Sequence, residues 1–150
     1  MQSLSRLLVV EDDVTVARAL SRTLARAGFS VASTRSCSAA RSLTQSFDFA
    51  ILDLDLPDGN GVDLARALMS SGKVPGVLFF TSSTDPALLA RARRMGCVVM
   101  KSVGTSPILA WLAAVASEAV DAPQSVAAPS SHTRGRRASS SSSLRRSRAR

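Results

Sequence analysis

Two short apolar runs in this chain end in acid. Leu7-Leu8-Val9-Val10 leads into Glu11-Asp12-Asp13, and Phe49-Ala50-Ile51-Leu52 leads into Asp53. Nearly continuous apolar runs of this length mark strands covered on both faces. In open α/β sheets, ligands bind in the crevice beyond the carboxyl ends of the strands. Carboxylates that converge there repel, so two such strand ends call for a cation, a proton or a phosphoryl partner. Asp53 is followed by Leu54-Asp55-Leu56-Pro57-Asp58-Gly59-Asn60-Gly61. Proline stops the strand and the glycines allow a sharp turn, which aims Asp53.

The rest of the body alternates in the same way. Runs near 6–10, 29–33, 48–52, 76–80 and 97–100 read as strands, and helical patterns lie at about 14–27, 37–46, 62–71, 85–95 and 105–120. The first helix places Val16, Leu20 and Leu24 on one face, with Ala17 and Ala27 beside them, and Gly28 supplies its stop. The last places Ile108, Leu112, Val115 and Ala119 on one face. Pro86 suits a first helical turn, with Asp85 or Thr84 as cap. The fold class is α/β: a doubly wound, five-stranded parallel sheet of (βα)5 form. Periodicity alone leaves the strand order open.

At 150 residues the chain is long enough for one domain with a proper core. Its formal charge is +8, but residues 121–150 hold seven Arg and one Asp, leaving +2 for residues 1–120. The basic balance therefore belongs to the tail and does not mark the body as a nucleic-acid binder. Two units are expected: a domain over 1–120 and a Ser/Arg-rich basic tail over 121–150. The tail has too little apolar content to offset its ordering entropy and is expected to be disordered. Its arginines suit at most weak, non-specific nucleic acid contact, without helix periodicity or aromatic residues for base readout. The single histidine, His132, lies in this tail without helical context. Cys37 and Cys97 match no metal spacing and suggest a reduced, cytoplasmic chain. No signal peptide and no run of membrane-spanning length is present, so no membrane partner is expected.

Four elements together resemble the receiver domain of two-component response regulators, over roughly residues 5–118. They are Leu-Val-Val-Glu-Asp-Asp at 8–13, Ile-Leu-Asp-Leu-Asp-Leu-Pro-Asp-Gly-Asn-Gly at 51–61, Phe-Phe-Thr-Ser at 79–82, and Lys101 after the fifth strand. The resemblance implies a flavodoxin-like sheet of order 2-1-3-4-5. It also implies a phosphorelay role, with Asp53 as phosphoacceptor and a histidine kinase or phosphotransfer protein as donor. A carboxylate attacks phosphorus once the charges are neutralised, and Mg²⁺ suits few carboxylates plus phosphate oxygens. Asp12 and Asp53 would be direct ligands, Glu11 would act through water, and Asp55 would lend its backbone carbonyl. The Thr81 hydroxyl and the Ser82 backbone N–H would bond phosphoryl oxygens, and Lys101 would pair with Asp53 and then with the phosphoryl group. Output would pass to a downstream protein target. This is signalling chemistry, so the chain is not read as a metabolic enzyme.

Three departures from the family pattern are visible. Gly96 to Lys101 is two residues shorter than usual, which predicts a tight turn before the fifth strand. Ser102 stands where the family has a proline that is normally cis, which predicts a looser trans turn. Val98 replaces the aromatic that normally moves with the threonine, so that coupling cannot run in its usual form. Two other readings compete with this one. Asp53-Leu54-Asp55 resembles the nucleophile motif of haloacid-dehalogenase-type phosphatases, although it does not sit at the first strand and no acid directly follows the fourth. A nucleic-acid-associated regulator acting through the tail is the other.

Overall fold

The computed structural model describes residues 5–121, with side chains to 117. The tail from 122 onward, with its expected disorder and its arginines, lies outside the described residues.

Strand β1 is Arg6–Val10, followed by helix α1, Val14–Arg26, and strand β2, Ser30–Thr34. Helix α2, Cys37–Arg41, leads to strand β3, Phe49–Leu52. A two-residue ribbon, β4 (Asp55–Leu56) against β5 (Gly59–Asn60), precedes helix α3, Gly61–Ser70. Strand β6, Val77–Thr81, helix α4, Pro86–Met95, and strand β7, Cys97–Met100, follow. A 3₁₀ turn over Lys101–Val103 and helix α5, Ser106–Asp121, complete the described chain. The main sheet is parallel, in the order β2-β1-β3-β6-β7. Counting its own strands alone, this is the expected 2-1-3-4-5.

The continuous apolar runs divide by alternation. Leu8, Val10, Ala50, Leu52, Val77 and Phe79 join one core with Val62, Leu64 and Leu68 of α3 and Ala92 of α4. Leu7, Val9, Ile51, Leu78, Phe80 and Val99 join a second core with Leu20 and Leu24 of α1 and Ile108 and Leu112 of α5. The central strands β1, β3 and β6 thus bury both faces, which is why their sequences show no polar alternation. At about 25 cal/mol per Å² of apolar burial, these two layers supply most of the drive to fold.

The helices begin where capping chemistry permits. Asp13 caps α1 by accepting from the N–H groups of Thr15 and Val16, at 2.9 and 3.1 Å. Asp85 caps α4 through Ala87 and Leu88, and Pro86 occupies its first turn. Asn60 and Asp63 bond reciprocally at the start of α3. Gly28, at φ +95°, ends α1, and Ala27 is its exposed cap instead of part of its buried face.

Helix α2 is the main correction: it ends at Arg41, not near 46. The Ser42 hydroxyl donates to the Ser38 carbonyl, and the polar Thr44-Gln45-Ser46 that follows favours turns over helix. Phe47 is buried, but from the connecting loop. The turn before β7 is tight, as expected: Gly96 alone separates α4 from β7. A Cβ there would meet the Val77 carbonyl oxygen at 2.4 Å. The segment at Ser102 is a correction. The peptide bonds there are trans, but the chain coils into the 3₁₀ turn, with the Gly104 N–H donating to the Lys101 carbonyl at 3.2 Å.

Candidate phosphoacceptor site

Strand order reverses at β1, which lies between β2 and β3. The carboxyl ends of β1 and β3 therefore open into the crevice where ligands collect in such sheets. Backbone pairing continues just beyond both strands. The Glu11 N–H donates to the Thr34 carbonyl at 3.1 Å, and the Asp53 N–H donates to the Val10 carbonyl at 3.0 Å. Two carboxylates are thereby fixed side by side on rigid backbone. Glu11 is 2 % exposed and Asp53 6 %, whereas Asp12 is exposed at the rim.

Carboxylate oxygens of Glu11, Asp12 and Asp53 lie within 4.8 Å of one another. Lys101, just beyond β7, reaches across to them. Its Nζ donates to Asp53 Oδ2 at 2.7 Å and lies 2.6 Å from Glu11 Oε2. Burial alone would lower the lysine pKa, but the bonds to Asp53 and Glu11 outweigh it and hold the ammonium charged above its usual range. Burial raises the Glu11 pKa and the neighbouring Asp53 charge adds to the rise; the bonds to Lys101 and to the Asp13 N–H oppose it, and the net shift is upward. The donor set is three hard carboxylates with one compact cation, and it suits a small, hard dication.

The loop after Asp53 is built without slack. A Cβ on Gly61 would lie 2.1 Å from the Asp53 carbonyl oxygen, so α3 starts directly against the backbone of Asp53. The Gly61 N–H donates to the Leu54 carbonyl at 2.9 Å. The Asp55 N–H turns toward Asp53 Oδ1 at 3.4 Å, and its own side chain is exposed. Thr81, at the end of β6, is wholly buried, and its Oγ1 accepts from the Ser83 N–H at 3.0 Å. Ser82 is exposed beside it. Val98 is half-buried in the core under α4.

The expected residues Glu11, Asp12, Asp53 and Lys101 are therefore brought into one cluster, with Asp55 bonded at its edge. Thr81 and Ser82 stand at the neighbouring strand end, and Thr81 bonds Ser83 in place of any residue of the cluster. Several supporting residues escaped the sequence reading. Asp58 accepts from the N–H groups of Cys37 and Ser38 at 2.8 and 2.9 Å, tying the loop after Asp53 to α2. Those bonds hold its carboxyl below the usual range. Asp63 pairs with Arg91 at 2.8 Å, linking α3 to α4. An Asp-Gly pair signals a turn, but nothing local reveals a partner 20 residues away. Cys37 and Cys97 are free thiols, one buried and one exposed.

Residues 7–112 match the family model of the response regulator receiver domain. The chain belongs to that family. Its receiver shares 40 % identity over 79 residues with the probable transcriptional regulatory protein SilR of Salmonella typhimurium, a stretch covering 51 % of this chain and 35 % of that protein. The chain thus spans about a third of the length of such curated relatives. The non-phosphorylated HemR receiver domain of Leptospira biflexa is 31 % identical, with a TM-score of 0.66 over 74 % of this chain and 93 % of that one. The fold of TrrA from Thermotoga maritima, solved in complex with Mg(2+)-BeF, matches with a TM-score of 0.67 at 18 % identity, over 75 % and 99 % of the two chains. The family match favours the receiver over both the aspartyl-phosphatase and the tail-based nucleic-acid readings. Among the described residues, no helix is long and apolar enough to cross a membrane.

Proposed function

We propose that this receiver takes a phosphoryl group onto Asp53 from a histidine kinase or a phosphotransfer protein. The observation that carries the reading is the convergence of Lys101 and two further acids on one buried carboxylate, Asp53. In the transfer, an Asp53 carboxylate oxygen bonds to phosphorus as the phosphorus–nitrogen bond of a phosphohistidine breaks. The electron pair returns to the imidazole, which takes up a proton. Asp12 and Asp53 would hold Mg²⁺ directly, Glu11 through water and Asp55 through its carbonyl. The cation would screen the charge between the carboxylate and the incoming phosphoryl oxygens. Lys101 would pass from the Asp53 carboxylate to a phosphoryl oxygen without leaving the crevice. The Thr81 hydroxyl and the Ser82 N–H would bond the remaining oxygens. Output is contact with a downstream protein, in a cytoplasmic setting, and the chemistry is that of a signalling switch.

The test is incubation of the full chain with acetyl phosphate and Mg²⁺, followed by intact-mass measurement. Wild type gains one phosphoryl mass and Asp53→Ala gains none. Equal labelling of the two would remove Asp53 from the role.

A further inference from the structure

Strand β2 lies at an edge of the main sheet, with β1 as its neighbour. The Ser30 N–H donates to the Ser5 carbonyl at 2.9 Å, and the Thr34 carbonyl accepts from the Glu11 N–H at 3.1 Å. Residues two apart on a strand turn the same way. Ser30, Ala32 and Thr34 therefore turn their backbone groups to β1, and Val31 and Ser33 turn theirs outward. Among the described residues, nothing hydrogen-bonds those outward groups. Sheet edges are usually blunted by a charge, a proline or a bulge. Ser-Val-Ala-Ser-Thr has neither charge nor proline, and its register with β1 runs unbroken from Ser30 to Thr34.

Helix α1 flanks this edge and makes it basic. It carries Arg18, Arg22 and Arg26, all exposed, and no acid. Arg35 follows β2, and its Nη2 donates to the Asp12 carbonyl at 3.4 Å. None of these arginines forms an ion pair among the described residues. Arg18 and Arg35 line one groove of about 340 Å³ between α1 and the end of β2, together with Val14, Ala17, Ser21 and Ser33. Among the described residues, the buried side-chain oxygens without a hydrogen-bond partner are Ser21 Oγ and Thr34 Oγ1. The first belongs to the groove and the second to the end of β2, so the orphaned hydroxyls gather at this edge.

We propose that the β2 edge is a docking site for an extended acidic segment of a partner protein, which adds a strand beside β2 and sets its carboxylates against Arg18 and Arg35. An added strand takes the outward N–H and C=O groups of Val31 and Ser33 as main-chain bonds. Its side chains alternate between the two faces of the sheet. Those on the α1 side enter the groove that Ser33 lines, where carboxylates meet two guanidinium groups that have no acid of their own. Charge decides between occupants. A second copy of this chain would bring the same arginines to the same place. Residues 121–150, with seven Arg and one Asp, are of the same sign. A nucleic acid would pair with the arginines but offers no strand to the outward backbone groups. An acidic strand satisfies both at once. The site lies apart from the phosphoryl chemistry and does not depend on Asp53 as acceptor.

The experiment uses the full chain with isotope-labelled amides, observed by NMR, and a capped synthetic peptide that alternates glutamate with threonine. In wild type the peptide shifts the Val31 and Ser33 amides and slows their hydrogen exchange, and added salt weakens its binding. The same peptide with lysine in place of glutamate changes neither. Arg18→Gln combined with Arg35→Gln weakens binding by roughly tenfold, because each exposed charge pair accounts for a few-fold. Ser33→Pro removes an outward N–H and no bond to β1, so the domain folds while the peptide no longer binds. A glutamate peptide N-methylated on the amides that would face β2 keeps its charge and fails to bind wild type, an arm that does not depend on any variant folding. Failure of the glutamate peptide to bind wild type overturns the proposal. So does equal binding of the lysine peptide, or undiminished binding of the N-methylated one. A single-stranded oligothymidylate is the last probe. If it binds through Arg18 and Arg35 more tightly than the peptide, and the Val31 and Ser33 amides stay open to exchange, the face is a nucleic-acid contact and strand addition is refuted.

Discussion

Replacing Lys101 by Met is the sharpest probe of how the acidic crevice is held. The lysine side chain is 18 % exposed, and its two partners are 3 % and 7 % exposed. Two contacts of 2.6 and 2.7 Å are lost at once. Each is of the charge-assisted kind that contributes about 1.5–3 kcal/mol. Methionine fills similar volume, so little cavity cost is added. What remains is a pair of buried carboxylates without a cation, a situation that typically costs about 3–5 kcal/mol. Partial exposure of Lys101, and protonation of one acid, pull the expectation to the lower end, about 3 kcal/mol in metal-free buffer at neutral pH. For a domain of this size that lowers Tm by roughly 10 °C.

The assay is urea unfolding in a chelator, followed by Trp111, which packs edge-on to Phe49 at 5.4 Å. Two further signs must agree. Glu11 already has a raised pKa, and loss of Lys101 raises it more, so its ionised form disfavours the folded state. The deficit of the variant is therefore present above that raised value and shrinks as pH falls through it. In wild type the raised Lys101 pKa works the other way: its stabilisation is complete below the unfolded lysine value and is lost as pH rises through the folded one. Mg²⁺ should narrow the gap between variant and wild type, because a cation bound only by the folded state stabilises it by mass action. A variant within about 0.5 kcal/mol of wild type in chelator, with no pH dependence to the difference, would refute the reasoning.

Other outcomes follow from single contacts. Gly61→Ala forces a Cβ to 2.1 Å from the Asp53 carbonyl and should cost about 2 kcal/mol or more in urea unfolding, while slowing acetyl phosphate labelling. Asp58→Ala removes the acceptor for the Cys37 and Ser38 N–H groups. Its depressed pKa means that the wild-type advantage is present above the unfolded aspartate value and fades as pH falls through the lower folded one. Thermal melts of the two proteins should therefore converge in acid, and a constant gap would count against the assignment. Asp12→Ala, at an exposed position, should leave the melting temperature nearly unchanged yet weaken Mg²⁺ binding by more than about tenfold in calorimetric titration.

The parts of the site written as neighbours in sequence were the legible ones. Glu11 and Asp12 follow one apolar run and Asp53 ends another, so strand ends and acids are read together. The order of the strands came from family resemblance, because periodicity has no information on which strand lies beside which. Contacts set by register were hidden. Lys101 was expected to face Asp53, but its equal approach to Glu11 depends on how β1, β3 and β7 align across the sheet. Ser83 was invisible for a different reason. A serine in Thr-Ser-Ser-Thr-Asp reads as generic loop polarity, and only the structure shows that Ser83 is buried while its neighbours Ser82, Thr84 and Asp85 are exposed. The helical pattern over 37–46 stops early in the structure, because Ser42 and the polar Thr44-Gln45-Ser46 compete for the backbone.

The shortened approach to β7 shows how a departure from a family pattern can leave chemistry intact. A one-residue turn leaves β7 no freedom to slide. Gly96 is extended, at φ −172°, and the Val77 carbonyl presses where any larger residue would put its Cβ. Register is then set from the first residue: Leu78 opposes Cys97 and Thr81 opposes Met100. Lys101 consequently emerges one residue beyond the level of Thr81, at the same sheet edge as Asp53, and its Nζ closes the remaining distance. Ser102 does not loosen this end, because the 3₁₀ turn and the Gly104 N–H bond to the Lys101 carbonyl hold the lysine backbone in place. The missing residues before β7 and the missing proline after it thus affect where the strand is anchored, not whether the lysine reaches the acids. Val98 differs in kind. The backbone devices that hold Lys101 in place supply nothing for a ring that is absent at that position.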